Sequence, residues 1–281
     1  MLYAAFVIVP MVMAGYTSFF KWNGLQPLDH FIGLDNYRRA LADPVFRGAI
    51  WHNTEIVLLS LLIQLPVAIA LALLLNRKMR GRAFFRVIFF APYVLSEVIT
   101  AVTWTLILQP DGLADAMLRS VGLDDAVRLW LGDPDIVLYT IFVVISWKYI
   151  GFGIILFLAG LQGIPQELHE AAAIDGASPW KITRYVTLPL LGPTIRIWIF
   201  LSIIGSLQLF DLVWIMTLGG PANASTTMAT FLVDHGFKRT EYGYGGALAM
   251  ILFVISFFVA LLYQRFVLRR DTQDALSGAK R

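Results

Sequence analysis

The stretch that decides the fold runs from Glu167 to Pro189 and reads ELHEAAAIDGASPWKITRYVTLP. It lies between two apolar segments of membrane-spanning length, and it is the longest interval without a hydrophobic run in the second half of the chain. Gly176 can take the positive φ that ends a helix, and Ser178 followed by Pro179 is a typical start of the next helix. The stretch is therefore predicted to form two short helices separated by a break.

Further local signals support the two helices of this segment. Pro165 suits a first helical turn, and the carboxylates of Glu167 and Glu170 stabilise a helix N-terminus through the helix dipole. Ala171–Ala173 are strong helix formers, and Pro189 is expected to end the second helix. These signals leave two interpretations open: an exposed element that another protein grips, or an ordinary amphipathic surface loop.

The spacing of these residues resembles a known signature. Glu170-Ala171-Ala172, then Gly176, then Val186-Thr187-Leu188-Pro189 is similar to the EAA signature of membrane subunits of binding-protein-dependent ABC importers, with Val186 where Ile is usual. The longer string EAAAIDGAS resembles the carbohydrate-uptake branch, of the maltose and glycerol 3-phosphate permease type. By that resemblance, the segment forms the coupling helix, which docks in a groove of a separate cytoplasmic ATPase. The implied coupling residues are Glu170, Ala171, Ala172, Asp175, Gly176, Leu188 and Pro189.

The composition is that of a polytopic membrane protein. Of the 281 residues, 58% are hydrophobic and only 15% are charged, whereas soluble domains average about 45–50% and about 25%. The chain has no cysteine, which excludes disulfides and thiolate metal sites. The net charge of +3 does not indicate a nucleic-acid partner, because the basic residues lie at the edges of the apolar segments.

Six apolar segments are predicted to cross the bilayer as helices, so residues 1–281 are expected to form a single all-α transmembrane domain. The predicted spans are residues 2–20, 53–75, 87–108, 137–161, 194–217 and 245–268, with a coupling loop at 162–192. Leu2–Phe20 is interpreted as a span and not as a cleaved signal peptide, because no Lys or Arg precedes it and Pro10 interrupts it.

The distribution of basic residues predicts the orientation in the membrane. The three segments on the side of the coupling loop hold 12 Lys and Arg residues in 59 positions, and the three on the other side hold 8 in 87. The first set comprises residues 76–86, 162–192 and 265–281, and the second comprises 21–52, 109–136 and 218–244. By the positive-inside rule, the first set is cytoplasmic. This predicts a multi-pass membrane protein with both termini and the coupling loop inside, and the resemblance to the importer family implies the bacterial inner (plasma) membrane.

Several charged side chains fall inside predicted spans, among them Glu97, Lys148 and Asp211. Charged groups in a membrane are costly and usually functional. Glu97 is interpreted either as lining a polar cavity that contacts substrate, or as pairing with Lys148 or a partner subunit to hold the helices together. Trp147-Lys148 followed by Gly151 and Gly153 resembles the fourth span of the importer family, which favours a structural role for Lys148.

One face of the fifth predicted span carries small and polar residues. Ser202, Gly205 and Ser206 share that face by helical spacing. The face either lines the translocation path or packs closely against another helix, as small residues of membrane helices often do. Trp147 and Tyr149 are candidate platforms for a sugar ring, with a place in the core or in the aromatic belt as the alternative.

Three further runs resemble the sugar-importer branch. They are FDLVW at Phe210–Trp214, TLGGP at Thr217–Pro221 and, less strongly, FIGLDNY at Phe31–Tyr37. All three fall in or beside segments predicted to lie outside the cytoplasm. A solute-binding protein is expected to dock on that side.

The expected function is that of a permease subunit, and no enzyme activity is predicted. The sequence has no phosphate-binding loop, no paired His/Glu metal motif and no nucleophile elbow. No cofactor or metal is expected in this chain, and ATP with Mg²⁺ is expected on the partner ATPase. The resemblance to the importer family implies the other partners: a second homologous membrane subunit in a heterodimer, a dimeric cytoplasmic ATPase and an extracytoplasmic solute-binding protein, in addition to the lipid bilayer.

The substrate is expected to be a sugar or oligosaccharide. An alternative with the same architecture is the import of sn-glycerol 3-phosphate or a polyol. A third possibility, from another class, is an ion-coupled secondary transporter. Such transporters usually contain internal repeats, and this sequence shows none.

Overall fold

The computed structural model describes residues 4–77 and 80–268. Within that part of the chain the protein is helical, and the extended backbone pairs only at the antiparallel bridge between Phe20 and Phe31. The predicted all-α fold class is confirmed. Three parts of the predictions lie outside the described residues: the start of the first predicted span, Lys78 in the predicted inner segment 76–86, and the basic tail from residue 269.

The α-helices of the described residues are numbered here in chain order. They are α1 (Val9–Thr17), α2 (Asp35–Ala42), α3 (Pro44–Leu59), α4 (Leu65–Asn76), α5 (Arg82–Val94), α6 (Glu97–Leu108), α7 (Leu113–Ser120), α8 (Val137–Gln162), α9 (Gln166–Ile174), α10 (Pro179–Ile182), α11 (Leu188–Leu190), α12 (Gly192–Leu207), α13 (Asp211–Met216), α14 (Met228–Val233) and α15 (Tyr242–Tyr263).

Three continuous helices of the described residues are long and apolar enough to cross a bilayer. They are Pro44–Asn76, Val137–Gln162 and Tyr242–Val267. In two further places, two consecutive helices reach that length only when they are counted as one span, because a short break bends the chain between them. These pairs are α5 with α6, and Pro179–Leu190 with α12. The described residues therefore contain three to five candidate spans, together with the shorter apolar helix Ala5–Thr17. The count of six spans stays a prediction.

Two of the predicted spans are interrupted in the structure. The span predicted at 87–108 breaks at Leu95, whose backbone is extended, three residues after Pro92 inside α5. The span predicted at 194–217 divides into α12 and α13, and Phe210 between them has non-helical φ and ψ values of −133° and −65°. Hydropathy records the length of an apolar run but not a break in its backbone, which explains the difference.

Three prolines lie within helices and share one local arrangement. Pro10, Pro66 and Pro189 each come two residues after a π turn. The turns are Ala4–Ile8, Ser60–Gln64 and Thr183–Thr187. A π turn moves away the carbonyl group with which the proline ring would otherwise clash. Its hydrogen-bond pattern also does not require the backbone N–H that proline lacks. The helix therefore continues through Pro189 to Leu190, and the prediction that Pro189 ends it is wrong.

The chain divides into two compact units, each assembled from three separate stretches. The first contains residues up to 57, 97–143 and 205–258, and the second contains residues 58–96, 144–204 and those from 259 onwards. In the second unit, α8 lies at the centre of the apolar core. The buried members of that core are Ala68, Ala72, Leu75, Ile154, Phe157, Leu158, Leu161, Leu191 and Trp198.

Glycines of α8 allow its neighbours in the second unit to approach closely. A Cβ atom added at Gly151 would collide with the backbone oxygen of Phe89. A Cβ atom at Gly153 would lie 2.8 Å from the indole nitrogen of Trp198. Small residues at helix contacts are how membrane helices gain van der Waals packing. The two glycines that follow Lys148 thus have a structural role.

The first unit contains a fully buried amide that joins three stretches of the chain. The Nδ2 atom of Asn53 donates to the carbonyl oxygen of Ser206 at 2.6 Å, and its Oδ1 atom accepts from the backbone N–H of Met228 at 2.9 Å. Asn53 has no exposed surface. Its amide therefore supplies a partner to the first N–H of α14 and a short hydrogen bond to the carbonyl of Ser206 near the end of α12, which otherwise accepts only a long bond of 3.4 Å from the N–H of Leu209.

Candidate functional site

The coupling segment has the predicted order of helix, break and helix. Gly176 has a φ of +79° immediately after the last turn of α9. The backbone N–H of Gly176 donates to the carbonyl of Ala173 at 3.1 Å, and that of Ala177 donates to the carbonyl of Ala172 at 3.0 Å. These two bonds are the Schellman motif, which satisfies the last carbonyls of a helix. Glycine is favoured at this position because it takes positive φ without steric cost.

The second helix of the segment begins at once. The Oγ atom of Ser178 accepts a hydrogen bond from the backbone N–H of Lys181 at 3.4 Å, and Pro179 occupies the first helical position. At the other end of the segment, Pro165 lies just before α9 with a ψ of 133°, so the helix begins at Gln166 and not at the proline. Pro165 is therefore the N-cap residue, which lies one position before the first helical turn in which it was expected.

One side-chain hydrogen bond joins the two helices of the coupling segment. The Nε2 atom of His169 in α9 lies 3.1 Å from the Oγ1 atom of Thr187. Thr187 is 5% exposed. This bond and the turn at Gly176 together fix the angle between the helices.

The coupling segment exposes large apolar side chains. Ile174 is 86% exposed, and Trp180 and Tyr185 are each 72% exposed. Of the seven predicted coupling residues, Glu170, Ala171, Asp175, Gly176 and Pro189 are exposed, and Ala172 and Leu188 are half-buried. Exposed apolar clusters rimmed by polar residues mark interaction sites. The segment thus presents a surface of the kind that binds another protein.

Glu97 and Lys148, the charged residues of the third and fourth predicted spans, differ in burial and in their surroundings. Glu97 is the first residue of α6 and is half-buried, so its carboxylate lies at a helix N-terminus, where the dipole favours it. The helix around Glu97 is thus not continuous, because the backbone breaks between α5 and α6 just before this residue. Lys148 is 2% exposed, and its ammonium group donates to the carbonyl of Leu95.

The two candidate sugar platforms have different surroundings. Trp147 is 38% exposed on α8. The ring of Tyr149 lies 6.0 Å from that of Tyr93, which in turn stacks on Phe152 at 5.2 Å. Tyr149 thus belongs to an aromatic cluster of the second unit, whereas Trp147 offers an accessible face.

The small and polar face of α12 is not uniform. Ser202 is half-buried, and Gly205 is exposed with no atom within 4 Å of the position of an added Cβ. Ser206 is 8% exposed, and its carbonyl accepts the hydrogen bond from Asn53. Gly205 therefore adjoins open space, as a path-lining residue would, and Ser206 lies in a packed junction.

A cluster of charged and aromatic residues in the first unit was not predicted. The guanidinium of Arg39 donates to both carboxylate oxygens of Glu241 at 3.0 Å and lies 4.0 Å from the centre of the Tyr244 ring. The Nδ1 atom of His235 lies 2.8 Å from Oε2 of Glu241. Burial raises the pKa of the Glu241 carboxyl, but the hydrogen bonds with His235 and Arg39 outweigh it, so the pKa lies below its ordinary value. Arg39 and Glu241 are 202 positions apart, and no local pattern indicates such a pair.

Several known proteins are similar to this chain in sequence and in fold. Residues 64–272 match the family described as "Binding-protein-dependent transport system inner membrane component". The chain belongs to this family. The permease PH1215 of Pyrococcus horikoshii, described as a probable ABC transporter permease protein, is 36% identical over 92% of this chain and 89% of its own length.

Two further relatives extend the comparison. The multiple sugar-binding transport system permease protein MsmF of Streptococcus mutans is 35% identical over 93% of this chain and 89% of its own length. A crystal structure of a bacterial ABC transporter involved in the import of the acidic polysaccharide alginate matches with a TM-score of 0.81 and 26% identity, over 95% of this chain and 92% of that one. The resemblance to carbohydrate-uptake permeases is thereby confirmed.

These findings decide between the classes that the sequence left open. The chain is a membrane-embedded permease subunit of a binding-protein-dependent ABC importer, and an ion-coupled secondary transporter is not favoured. Members of this family are non-catalytic permease subunits. In residues 4–77 and 80–268, no group of three or more His, Asp or Glu side chains is arranged to hold a metal ion.

Proposed function

We propose that this chain pairs with a second homologous membrane subunit and forms with it the path of a sugar or oligosaccharide importer. A dimeric cytoplasmic ATPase, which binds ATP and Mg²⁺, drives the movement. An extracytoplasmic solute-binding protein delivers the substrate. The observation that carries the proposal is the coupling segment, in which a defined helix-turn-helix exposes Ile174, Trp180 and Tyr185.

The geometry of that segment suits the transfer of movement. The Schellman turn at Gly176 and the bond between His169 and Thr187 make the two helices one rigid element. The second helix leads into α12 across a bend of 64°. A displacement of the docked segment by the ATPase would therefore tilt α12. ATP binding would open the path towards the binding protein, and hydrolysis would return it to the cytoplasmic side.

The substrate proposed is a carbohydrate, with glycerol 3-phosphate or a polyol as the alternative. A phosphate ester requires a strongly basic site. Within the predicted spans 53–75, 87–108, 137–161, 194–217 and 245–268, the basic residues are Lys148 and Arg196, together with Arg265 near the end of the last span. The ammonium of Lys148 is bonded to the carbonyl of Leu95, which favours a substrate without a phosphate group.

The docking proposal is tested by the variant Trp180→Ser in the assembled importer. We expect the variant to remain in the membrane but to lose most of its co-purifying ATPase, because Trp180 is a large exposed aromatic anchor, the type of residue that dominates interfaces. The matched control is Trp51→Ser, since Trp51 is 61% exposed but lies outside the coupling segment. Equal recovery of ATPase with the two variants would count against the proposal.

The orientation is tested with single cysteines, because the chain contains none. A cysteine at Ile174 should react with a membrane-impermeant reagent only in inside-out vesicles. A cysteine at Leu218, which is 61% exposed, should react only in right-side-out vesicles. The reverse pattern would place both termini and the coupling segment outside.

A further inference from the structure

The basic segment at residues 77–86, which joins α4 to the first turns of α5, concentrates positive charge that the chain does not balance. Its basic residues are Arg77, Lys78, Arg80, Arg82 and Arg86. The sequence has no Asp or Glu between Glu55 and Glu97. In the part of the chain that the structure describes, the side chains of the four arginines form no ion pair and no hydrogen bond. The basic segment therefore has no carboxylate partner among the described residues.

Two of these arginines share one face of α5. Arg82 and Arg86 lie four positions apart, which places them on the same side of a helix, and both are half-buried. The protein covers the Nε atoms of both residues and Nη2 of Arg86 but gives these atoms no acceptor. The other guanidinium nitrogens, Nη1 and Nη2 of Arg82 and Nη1 of Arg86, do not belong to this covered set, and part of each side chain stays exposed. An anion can therefore approach both guanidinium groups from the exposed side.

The side chains next to these two arginines are apolar and exposed. Phe84 is 65% exposed, Val87 is 66% exposed and Ile88 is 47% exposed. In a chain of an inner-membrane family, exposed apolar side chains beside arginines indicate the boundary between lipid head groups and acyl chains. A ligand at this boundary would offer an anionic group to the arginines and apolar chains to their neighbours.

Three classes of partner carry the missing negative charge: a soluble anion, an acidic surface of another protein and an anionic lipid. The first two would neutralise the arginines but would leave Phe84 and Val87 without an apolar contact. An anionic phospholipid satisfies both requirements, because its phosphate accepts paired hydrogen bonds from a guanidinium group and its acyl chains cover apolar side chains. Clusters of about four to eight basic residues at the cytoplasmic end of a membrane helix bind lipids of this kind.

We propose that Arg82 and Arg86 bind the phosphate group of an anionic glycerophospholipid, whose acyl chains contact Phe84 and Val87. The other two arginines of the basic segment are exposed and add to the positive potential that attracts this lipid. The site requires a membrane-embedded chain, but it depends neither on the transported solute nor on the coupling segment. The orientation proposed above places it in the cytoplasmic leaflet.

The test measures which lipid lies beside Val87 in the assembled importer. A fluorophore is attached at Val87→Cys, next to Arg86, in a chain that otherwise has no cysteine, and the importer without this cysteine supplies the background. The importer is placed in phosphatidylcholine nanodiscs that contain phosphatidylglycerol or phosphatidylcholine with brominated acyl chains, because bromine quenches a nearby fluorophore. We expect brominated phosphatidylglycerol to reach half-maximal quenching at a mole fraction lower by about fivefold or more, since one basic residue attracts an anionic lipid by about that factor.

The decisive variant combines Arg82→Gln with Arg86→Gln and should make the two lipids quench alike. Arg86→Lys keeps the charge but not the planar, paired contact, so it should retain part of the preference. The matched control is Arg128→Gln, which should retain all of it. Arg128 is exposed, has no ion pair among the described residues and lies outside the basic segment.

Thermal unfolding in neutral detergent separates lipid binding from a defect in folding. Without added lipid, the double variant should unfold no earlier than the native importer, because its two arginines have no partner in the described chain. Added phosphatidylglycerol should raise the midpoint of the native importer and not that of the double variant, since a ligand of the folded state stabilises it.

Equal quenching by the two lipids in the native importer would overturn the inference, as would an equal loss of preference with Arg128→Gln. If inorganic phosphate abolishes the preference and chloride at the same ionic strength does not, the site binds free phosphate and the lipid assignment is wrong. A preference that appears only after removal of the ATPase would show that another protein covers the arginines, which also contradicts the inference. Sugar uptake is not part of the measurement, so a failure of the proposed function would leave this result unaffected.

Discussion

The coupling segment and the Asn53 junction use side chains in opposite ways. The coupling segment exposes Ile174 and Trp180, and its shape comes from bonds between residues close in sequence. The Asn53 junction buries a polar amide completely, and its bonds join residues more than 150 positions apart. An exposed apolar surface is available to a second protein, whereas a buried polar junction is complete within the chain. The difference indicates which region binds a partner and which region holds the outer loops in place.

The largest effect is expected from removing the buried amide with Asn53→Leu. The N–H of Met228 would lose its partner, and the carbonyl of Ser206 would keep only a long bond of 3.4 Å from the N–H of Leu209. A buried group left without a partner costs about 1–3 kcal/mol. We expect the free energy of unfolding to fall by about 3 kcal/mol, measured by chemical or thermal unfolding of the purified importer.

The control for the Asn53 variant is Asn76→Leu, which replaces an exposed asparagine at the end of α4. That change should alter stability by less than about 0.5 kcal/mol, as is usual for exposed positions. If the two variants unfold alike, the junction does not have the structural role assigned to it.

The next effect concerns the turn of the coupling segment. Gly176→Val places a β-branched residue at a φ of +79°, which costs about 1–2 kcal/mol and opposes the Schellman turn. We expect the importer to assemble in the bilayer but to lose stimulation of its ATPase by the loaded binding protein, and with it sugar uptake. The measurement is ATPase activity in proteoliposomes with and without that protein.

A matched variant separates strain from coupling. Gly122 has a φ of +76°, and an added Cβ would meet no atom within 4 Å, as at Gly176. Gly122→Val therefore imposes the same backbone strain outside the coupling segment and should leave stimulation intact. Equal loss of stimulation in both variants, or unchanged uptake with Gly176→Val, would contradict the coupling role.

The same contrast explains how much of the structure could be predicted from the sequence. The caps at Gly176 and Ser178 depend on bonds between residues at most five positions apart, so the helix, break and helix of the coupling segment were predictable. The continuation of the helix past Pro189 was not predictable, because the π turn Thr183–Thr187 ends two residues before the proline and accommodates it. The cluster of Arg39, Glu241 and His235 depends on tertiary pairing across the chain, for which the sequence carries no local signal.

A smaller effect is expected from the bond between the two coupling helices. His169→Ala and Thr187→Val each remove the contact between Nε2 and Oγ1, and a neutral hydrogen bond contributes about 1 kcal/mol. We expect faster amide hydrogen exchange in residues 179–190, by about fivefold, and no further increase in the double variant. Mass spectrometry of exchange in the assembled importer provides the measurement.

The control for this pair is Thr183→Val. The Oγ1 atom of Thr183 bonds to the carbonyl of Pro179 within its own helix, so its loss does not affect the contact between the helices. Additive effects of His169→Ala and Thr187→Val would show that the two side chains act independently and that the helices are not joined by this bond.

The smallest effect is the pH dependence of the outer cluster. The pKa of Glu241 in the folded protein lies below its ordinary value of 4.5, so its contribution to stability is fully present above about pH 4.5. That contribution is lost as the pH falls through the folded-state pKa. The side chains of Arg39 and Glu241 are 48% and 34% exposed, and solvent screening therefore limits the effect to less than about 1 kcal/mol.

The variant Glu241→Gln tests this dependence through the thermal midpoint of the solubilised importer between pH 3 and 6.5. The native protein should lose its advantage over the variant only below about pH 4.5, because protonated Glu241 no longer accepts the charged hydrogen bonds of Arg39. Asp35→Asn is the control, since the pair of Asp35 with Arg38 is more exposed, at 63% and 78%. An advantage of the native protein that persists unchanged to pH 3 would mean that the shape of residue 241, and not its charge, holds the outer loops together.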